Sequence, residues 1–366
     1  MSTPTDALWE IEPHTLAKHE ILRRYLGAWF AILGKYNPRV VYIDGFCGPG
    51  RYKGGEKGSP IIALESALKH QMHQLIQEAT FIFIDENQER IDHLKSEINA
   101  LNIPPCFHVG TEVNQFDSTL NGILDQLDAR GSQLAPTFAF IDPFGFKGAP
   151  YKLIERLLKN QKTEIFINIM ADSINRFLEH PDPQITQHIT SLYGTPKVQS
   201  IIHSTGDRVK QLRELYQEQL KRIAKFVRYF EMRDENNRLI YYLFFATKNR
   251  LGHVKMKEAF WKVDPSTGLC FSDRTDPLQP VLFNLDPSLD LGKELLKKFS
   301  GQKTNVYSLR IFVEDETAYI ASHMREALKR LEDQGQINIE PMQQNGKKRR
   351  KHMFPDEVIL TFPILP

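Results

Sequence analysis

Cysteine is scarce in this chain: Cys47, Cys106 and Cys270 are the only three among 366 residues. An odd count at no metal-like spacing argues against a disulfide framework and suits a reducing compartment. Long apolar runs are missing as well. No stretch approaches the roughly 20 residues of a membrane-spanning helix. The opening residues, MSTPTDALWEIEPHTLAKHE, lack the apolar centre of a secretory signal. A cytoplasmic protein without membrane contact is expected. Neither sign of charge is in excess: Lys and Arg number 47, Asp and Glu 45, leaving a net +2. A polyanionic partner would have to be met by local patches. There is no internal repeat, and no biased segment beyond one basic cluster near the C-terminus. With 41% hydrophobic and 25% charged residues, the composition is that of a globular protein. Its length suits two domains, or one large and one small.

Three short apolar runs each end in an acid: RVVYID (39–44), TFIFID (80–85) and TFAFID (137–142). β-Branched and aromatic residues without alternation read as buried parallel strands. CFHV (106–109) is a weaker run and EIFINIM (164–170) a further strand. Helical patterns such as ENQERIDHLKSEINAL (86–101) lie between them. An N-terminal helix precedes them, with Leu16, Ile21, Leu22, Tyr25, Leu26, Trp29, Phe30 and Leu33 as its apolar stripe. This βαβ alternation predicts a doubly wound, Rossmann-like α/β domain over residues 1–275. A polar helical insert is expected at about 172–230, with NRLIYYLFFATKN as a late strand. The Pro- and Asp-rich stretch near 276 opens a linker, taken as 276–302. Residues 303–366 then read as a winged-helix module.

VVYIDGFCGPGRYKGGEKGSP (40–60) is the most informative stretch. A strand ends in Asp44 and turns at once through Gly45, Gly48 and Gly50. Glycine allows a tight bend and close approach of backbone to a ligand. The pattern is D-x-F-x-G-x-G (Asp44, Phe46, Gly48, Gly50), not the G-x-G-x-x-G of a dinucleotide site. In a doubly wound sheet, ligands bind beyond the carboxyl ends of the strands. Asp85, at such an end, can accept the two ribose hydroxyls of an adenosine, or cap the helix that follows. Asp142, Pro143 and Phe144 form either an Asp-Pro turn or a base-reading unit. In the latter the carboxylate accepts from an exocyclic amine, the proline stiffens the turn and the ring stacks on the base.

Taken together, DGFCGPG, FIDEN and IDPFGF resemble motifs I, II and IV of class I S-adenosylmethionine-dependent methyltransferases, in the form found in enzymes acting on amino groups of nucleic-acid bases. The wider pattern is similar to the bacterial three-Cys-motif partner protein family. It runs LAKHEILRRYLGAW, YIDGFCGPGRYKGGEKGSPIIALE, IDPFGF, GHVKMKEAFWKVD. The resemblance extends from about residue 9 to the C-terminus and is vague in the helical insert. It implies S-adenosylmethionine as cofactor and, from the family name, a three-cysteine-motif protein as partner. Asp142-Pro143-Phe144-Gly145 departs from the usual (D/N)-P-P-(Y/F) and is similar to the D-P-F-G of tRNA guanine-N2 dimethyltransferases, which leaves adenine N6 and guanine N2 both open. The interval from Asp44 to Asp85 is about twice the usual ~20 residues, the excess being RYKGGEKGSP. By similarity to ribosomal RNA adenine-N6 methyltransferases, Arg51, Tyr52 and Lys53 would form a nucleic-acid-binding lip; a solvated basic loop is the alternative. The resemblance also implies an adenine-bracketing loop after the third strand, here Glu112, Asn114 and Phe116. Lys18 matches a family lysine, either reaching the cofactor carboxylate or a substrate phosphate, or simply solvated on its helix.

Other chemistry is weaker. Pro105-Cys106 has the residues of a cytosine-C5 methyltransferase nucleophile but not its place, and a core thiol is expected. His253 has no other ligand type at metal spacing, and no metal is expected. In QNGKKRRK, Asn345-Gly346 suits a hairpin turn, and Lys347, Lys348, Arg349, Arg350 and Lys351 could neutralise phosphates. Arg325, Lys329 and Arg330 of the preceding helix could extend that surface. A solvated hairpin tip or a protein-docking module is the alternative. Three functions therefore stand open: a nucleic-acid base amino methyltransferase, a catalytically degenerate partner subunit of a radical-SAM-type or other nucleic-acid enzyme, and a winged-helix regulator with a ligand-sensing domain.

Overall fold

The structure, a computed structural model, describes residues 6–69, 74, 76–274, 286–340 and 349–364. The chain divides into two compact units: residues 1–259 with 270–276, and residues 260–269 with 277–366.

In the first unit, α1 (Pro13–Tyr36) leads into β1 (Val40–Asp44), α2 (Ser59–Leu68), β2 (Ala79–Asp85), α3 (Gln88–Asn99), β3 (Phe107–Val113), α4 (Phe116–Ala129), β4 (Thr137–Ile141), α5 (Tyr151–Lys159) and β5 (Thr163–Ile169). The insert contributes α6 (Ala171–Phe177), α7 (Pro183–Tyr193), α8 (Lys197–Ser200) and α9 (Arg208–Lys221). Then come β6 (Phe226–Arg233), β7 (Leu239–Thr247), α10 (Arg250–Val263) and β8 (Cys270–Ser272). The sheet order is β3-β2-β1-β4-β5-β7-β6-β8. The first five strands are parallel, β7 runs antiparallel to both neighbours, and β8 is parallel to β6. This is the doubly wound, Rossmann-like sheet that the sequence predicts. The strand order reverses between β1 and β4, which opens a crevice at their carboxyl ends.

Strands β1, β4 and β5 are buried on both faces, which is why they read as nearly unbroken apolar runs. Val41, Ile43, Ala139, Ile141, Ile165 and Ile167 share a core with α4, α5 and the insert. The opposite face carries Tyr42, Phe81, Phe83 and Phe138. There α1 lays Tyr25 against Phe138 at 5.2 Å between ring centroids and Phe30 against Phe81 at 5.9 Å. Leu16, expected on the α1 stripe, is exposed.

The insert ends earlier than 230. FVRYFEMR (226–233) is a strand, paired with β7 across a turn where Asn237 takes a left-handed φ of 61°. The helical pattern of α9 runs straight into these residues, and the pairing with β7 and β8 distinguishes them.

In the second unit, α11 (Pro287–Lys298), β9 (Lys303–Asn305), α12 (Val306–Glu316), α13 (Ala321–Asp333), β10 (Asn338–Ile339) and β11 (Ile359–Thr361) follow in order. The three strands form an antiparallel sheet in the order β10-β11-β9. Three helices and a small sheet make the expected winged-helix arrangement. Its beginning lies upstream of 303: α11, inside the stretch assigned to the linker, buries Leu291 and Leu295 in the same core as Leu309, Leu328 and Leu360.

Candidate active site

The glycine turn after β1 is held from both sides. Gly48 and Gly50 have φ of 61° and 80°, where a side chain would be strained. The Gly48 amide donates to Asp85 Oδ2 at 3.0 Å, and the Cys47 amide to the Ile84 carbonyl at 2.9 Å. Asp85 Oδ1 accepts from the Asn87 amide at 2.9 Å. The cap of α3 is Asn87 itself, whose side chain accepts from the Arg90 amide. Asp85 therefore ties the glycine turn to the start of α3, with the Arg90 guanidinium 3.8 Å away.

Beside this turn lies a cleft of about 720 Å³, walled by Gly45, Phe46, Asp85, Asn87, Asn114 and Phe116 among others. That volume falls within the usual range for small-molecule sites, roughly 300–1,000 Å³. Phe116 is buried and meets Phe46 at 5.6 Å. Of the three residues expected after β3, Asn114 and Phe116 reach the cleft, but Glu112 does not: it is exposed on β3. Phe144, Lys147 and His188 of α7 also line it; the insert gave no periodic signal pointing to His188.

A second cleft, about 340 Å³, surrounds Asp142. Lys18 is 5% exposed, its Nζ paired with Asp142 Oδ2 and 5.3 Å from the centre of the Tyr241 ring. This excludes the solvated lysine and places Lys18 at the second cleft. Asn168, a buried polar residue near the carboxyl end of β5, donates its Nδ2 to Asp142 Oδ1 at 2.9 Å. Trp9, Tyr52, Pro143, Phe144 and Tyr241 complete the walls. Trp9, Asn168 and Tyr241 were missed from the sequence, although an asparagine inside EIFINIM is a signal of a polar task. The expected lip is divided. Tyr52 lines the cleft, Lys53 is exposed, and Arg51 turns away to Glu97 (2.8 Å) and the Gly55 carbonyl (2.8 Å). Arg51 is thus a brace of its own loop.

Asp44 is wholly buried at the end of β1, and burial pushes its carboxyl up to about 7 against the pull of Ser59, with Asp142 adding to the rise. His19 is held down to about 3 by burial and by Lys18. A carboxyl whose folded pKa is raised binds its proton more tightly folded than unfolded, so its contribution falls as pH climbs from about 4 to 7. His19 acts in the opposite sense. Asp44→Asn should remove the Asp44 part alone, and thermal melts across pH 4–8 should show a variant that gains relative to wild type as pH rises.

In the second unit, Lys347 and Lys348 lie outside the described residues. Arg349 does not project: its guanidinium is bound to Glu332, both side chains being largely buried, and to the Met353 carbonyl at 3.1 Å. Lys351 pairs with Asp333 at 2.6 Å, and Arg350 is exposed. On α13, Arg330 pairs with Asp286 and Lys329 with Glu326. Arg349 therefore braces its own unit rather than adding to a positive surface. Arg349→Ala, which leaves Glu332 with the His352 amide alone, should lower the stability of this unit by roughly 1–3 kcal/mol, measured by denaturant unfolding.

Among the described residues, no group of three His, Cys, Asp or Glu is placed to hold a metal ion. His253 is stacked on Phe226 at 4.7 Å. Cys106 is half-buried just before β3, and Cys47 is buried. No described helix is long and apolar enough to cross a membrane.

The family model of the GMT-like wHTH domain matches residues 271–343. No curated protein sequence matches the chain. Solved structures similar to it include an O-methyltransferase from Bacillus cereus in complex with SAH: 13% identity, 65% of this chain and 83% of that one, TM-score 0.34. A geranyl diphosphate C-methyltransferase from Streptomyces coelicolor A3(2) gives 13% identity, 68% and 95% coverage, and a TM-score of 0.28. A geranyl diphosphate methyltransferase in complex with GPP and sinefungin gives 10%, 64% and 78%, and 0.29. These likenesses are weak, and the chemistry rests on this chain's own residues.

Proposed function

We propose that the first unit binds S-adenosylmethionine in the cleft beside the glycine turn and methylates an exocyclic amino group of a nucleic-acid base, adenine N6 or guanine N2, held at Asp142. The observation that carries this is Phe144, which lines both clefts. A donor and an acceptor bound on its two sides would meet there. The first cleft fits an adenosine: Asp85 offers carboxylate oxygens for ribose hydroxyls, the amide side chains of Asn87 and Asn114 suit the edge of adenine, and Phe46 and Phe116 offer apolar walls. When bound, the cofactor supplies a methyl group on a positively charged sulfur. Asp142 would hold the amino group towards the first cleft and take up the proton that the nitrogen loses. Such a reaction asks the protein chiefly for alignment and for a group that favours the developing charge. A single-stranded or looped base would avoid much of the cost of flipping.

One observation favours the second reading, a methyltransferase-fold partner subunit. Glu10 and Glu12 stand at the Asp142 cleft, where a polyanion is repelled. The experiment that separates the two is transfer of labelled methyl from S-adenosylmethionine to total RNA and genomic DNA, followed by nucleoside identification. Labelled N6-methyladenosine or N2-methylguanosine is expected, whereas cofactor binding without transfer would favour the partner subunit. Neutralising Lys347, Lys348, Arg350 and Lys351 together should flatten the salt dependence of nucleic-acid binding by roughly 0.7–0.9 per lost phosphate contact. An unchanged slope would turn the winged-helix module towards protein docking.

A further inference from the structure

If methyl transfer takes place at Asp142, the strands alone leave the acceptor site open on one side. The N-terminal segment closes it with two side chains. Trp9 stands edge-on to Tyr52 at 5.6 Å and to Phe144 at 6.1 Å, and its own face carries the Arg90 guanidinium at 4.9 Å. It also passes over the glycine turn: a Cβ on Gly48 would lie 3.5 Å from the indole. The Trp9 carbonyl accepts from the Lys53 amide at 3.0 Å, and His14 bonds both Glu12 (2.9 Å) and Asp273 (2.8 Å), fastening the segment at each end. Trp9, Tyr52 and Phe144 thus give the cleft flat, apolar walls suited to an aromatic ring.

Lys18, one turn into α1, puts a cationic donor directly beside the Asp142 carboxylate, whose other oxygen is engaged by Asn168. A carboxylate has room for about four hydrogen bonds, so both oxygens can still accept. A donor and an acceptor side by side complement a ligand edge with the opposite order: an N–H next to a ring nitrogen bearing a lone pair. Adenine has that edge at N6 and N1, guanine at N2 and N3, cytosine at N4 and N3. Uracil and thymine set N3–H beside a carbonyl oxygen, so they can meet the same pair, but they carry no exocyclic amine to accept a methyl group. A phosphate offers no N–H, and an aliphatic amine offers no lone pair beside it.

We propose that Trp9 and Lys18 complete the acceptor site, Trp9 packing on the ring and Lys18 donating to the ring nitrogen beside the amino group that Asp142 accepts. Lys18 is then a specificity-determining residue as well as a counter-ion.

The test uses the full chain with S-adenosylhomocysteine and fluorescein-labelled octamers, ribose and deoxyribose strands of otherwise abasic residues, each carrying one adenine, guanine or cytosine, the wholly abasic octamer being the plain strand. Matching octamers carry 1-deazaadenine, 3-deazaguanine or 3-deazacytosine, in which the ring nitrogen is replaced by CH. Wild type should bind at least one parent base about tenfold more tightly than the plain strand and lose about tenfold on its deaza form. Lys18→Met should lose about tenfold on the parent and nothing further on the deaza strand. Trp9→Ala should weaken both alike. Calorimetry with S-adenosylhomocysteine checks that each variant is folded, and the wild-type comparison decides the matter if Lys18→Met is not. Equal wild-type affinity for parent and deaza strands overturns the role of Lys18 and leaves methyl transfer standing. No preference for any amino base over the plain strand overturns both.

Discussion

Asp142→Asn should lower turnover at least about a hundredfold while cofactor affinity stays near that of wild type. The variant keeps the shape of the side chain and the Asn168 neighbour, but replaces a charged acceptor by a neutral amide with one acceptor oxygen. The developing positive charge on the acceptor nitrogen then has no carboxylate to meet it, and its proton has no base to leave by. Alanine is the poorer choice, because it strands the buried Lys18 ammonium, and breaking a buried pair costs about 3–5 kcal/mol of stability. Single-turnover rates with labelled cofactor, alongside calorimetry, separate the two effects. Wild-type turnover would reduce Asp142-Pro143-Phe144 to a turn.

Asp85→Ala should weaken cofactor binding by about 1–3 kcal/mol, the scale of losing a hydrogen bond to a charged group. It should also lower the melting temperature, because the amides of Gly48 and Asn87 both lose their acceptor. Asp85→Asn is the informative companion. Its single oxygen can serve one amide, so stability should recover in part, while affinity for a pair of ribose hydroxyls should not. Titration with S-adenosylhomocysteine checks this. Unchanged affinity in both variants would make Asp85 a brace of the turn and nothing more.

Both variants act on groups whose partners come from distant parts of the chain. Lys18 meets Asp142 across 124 residues, and Gly48 meets Asp85 across 37. The N-terminal helix is therefore part of the site as well as part of the core. Its stripe packs on Phe138 and Phe81, which fixes where Lys18 arrives.

The sequence by itself determined the order of the parallel strands' elements, because strands buried on both faces must be apolar throughout and so announce themselves. It determined the turn after β1, because Gly48 and Gly50 occupy backbone conformations that other residues resist. It also marked Asp44, Asp85 and Asp142 at strand ends, where a doubly wound sheet brings its carboxyl termini together. Tertiary structure alone decided which charges are free. Arg51 and Arg349 read as surface cations in one dimension, but each finds a carboxylate far along the chain, Glu97 and Glu332, and becomes a brace. Glu112 and Asn114 differ by two positions, yet only Asn114 reaches the cleft. Trp9, Lys18 and Asn168 share no local motif. Their convergence on Asp142 depends on α1 packing on the sheet and on β5 lying beside β4, and contacts set by packing over such separations leave no period or spacing in the sequence to be read.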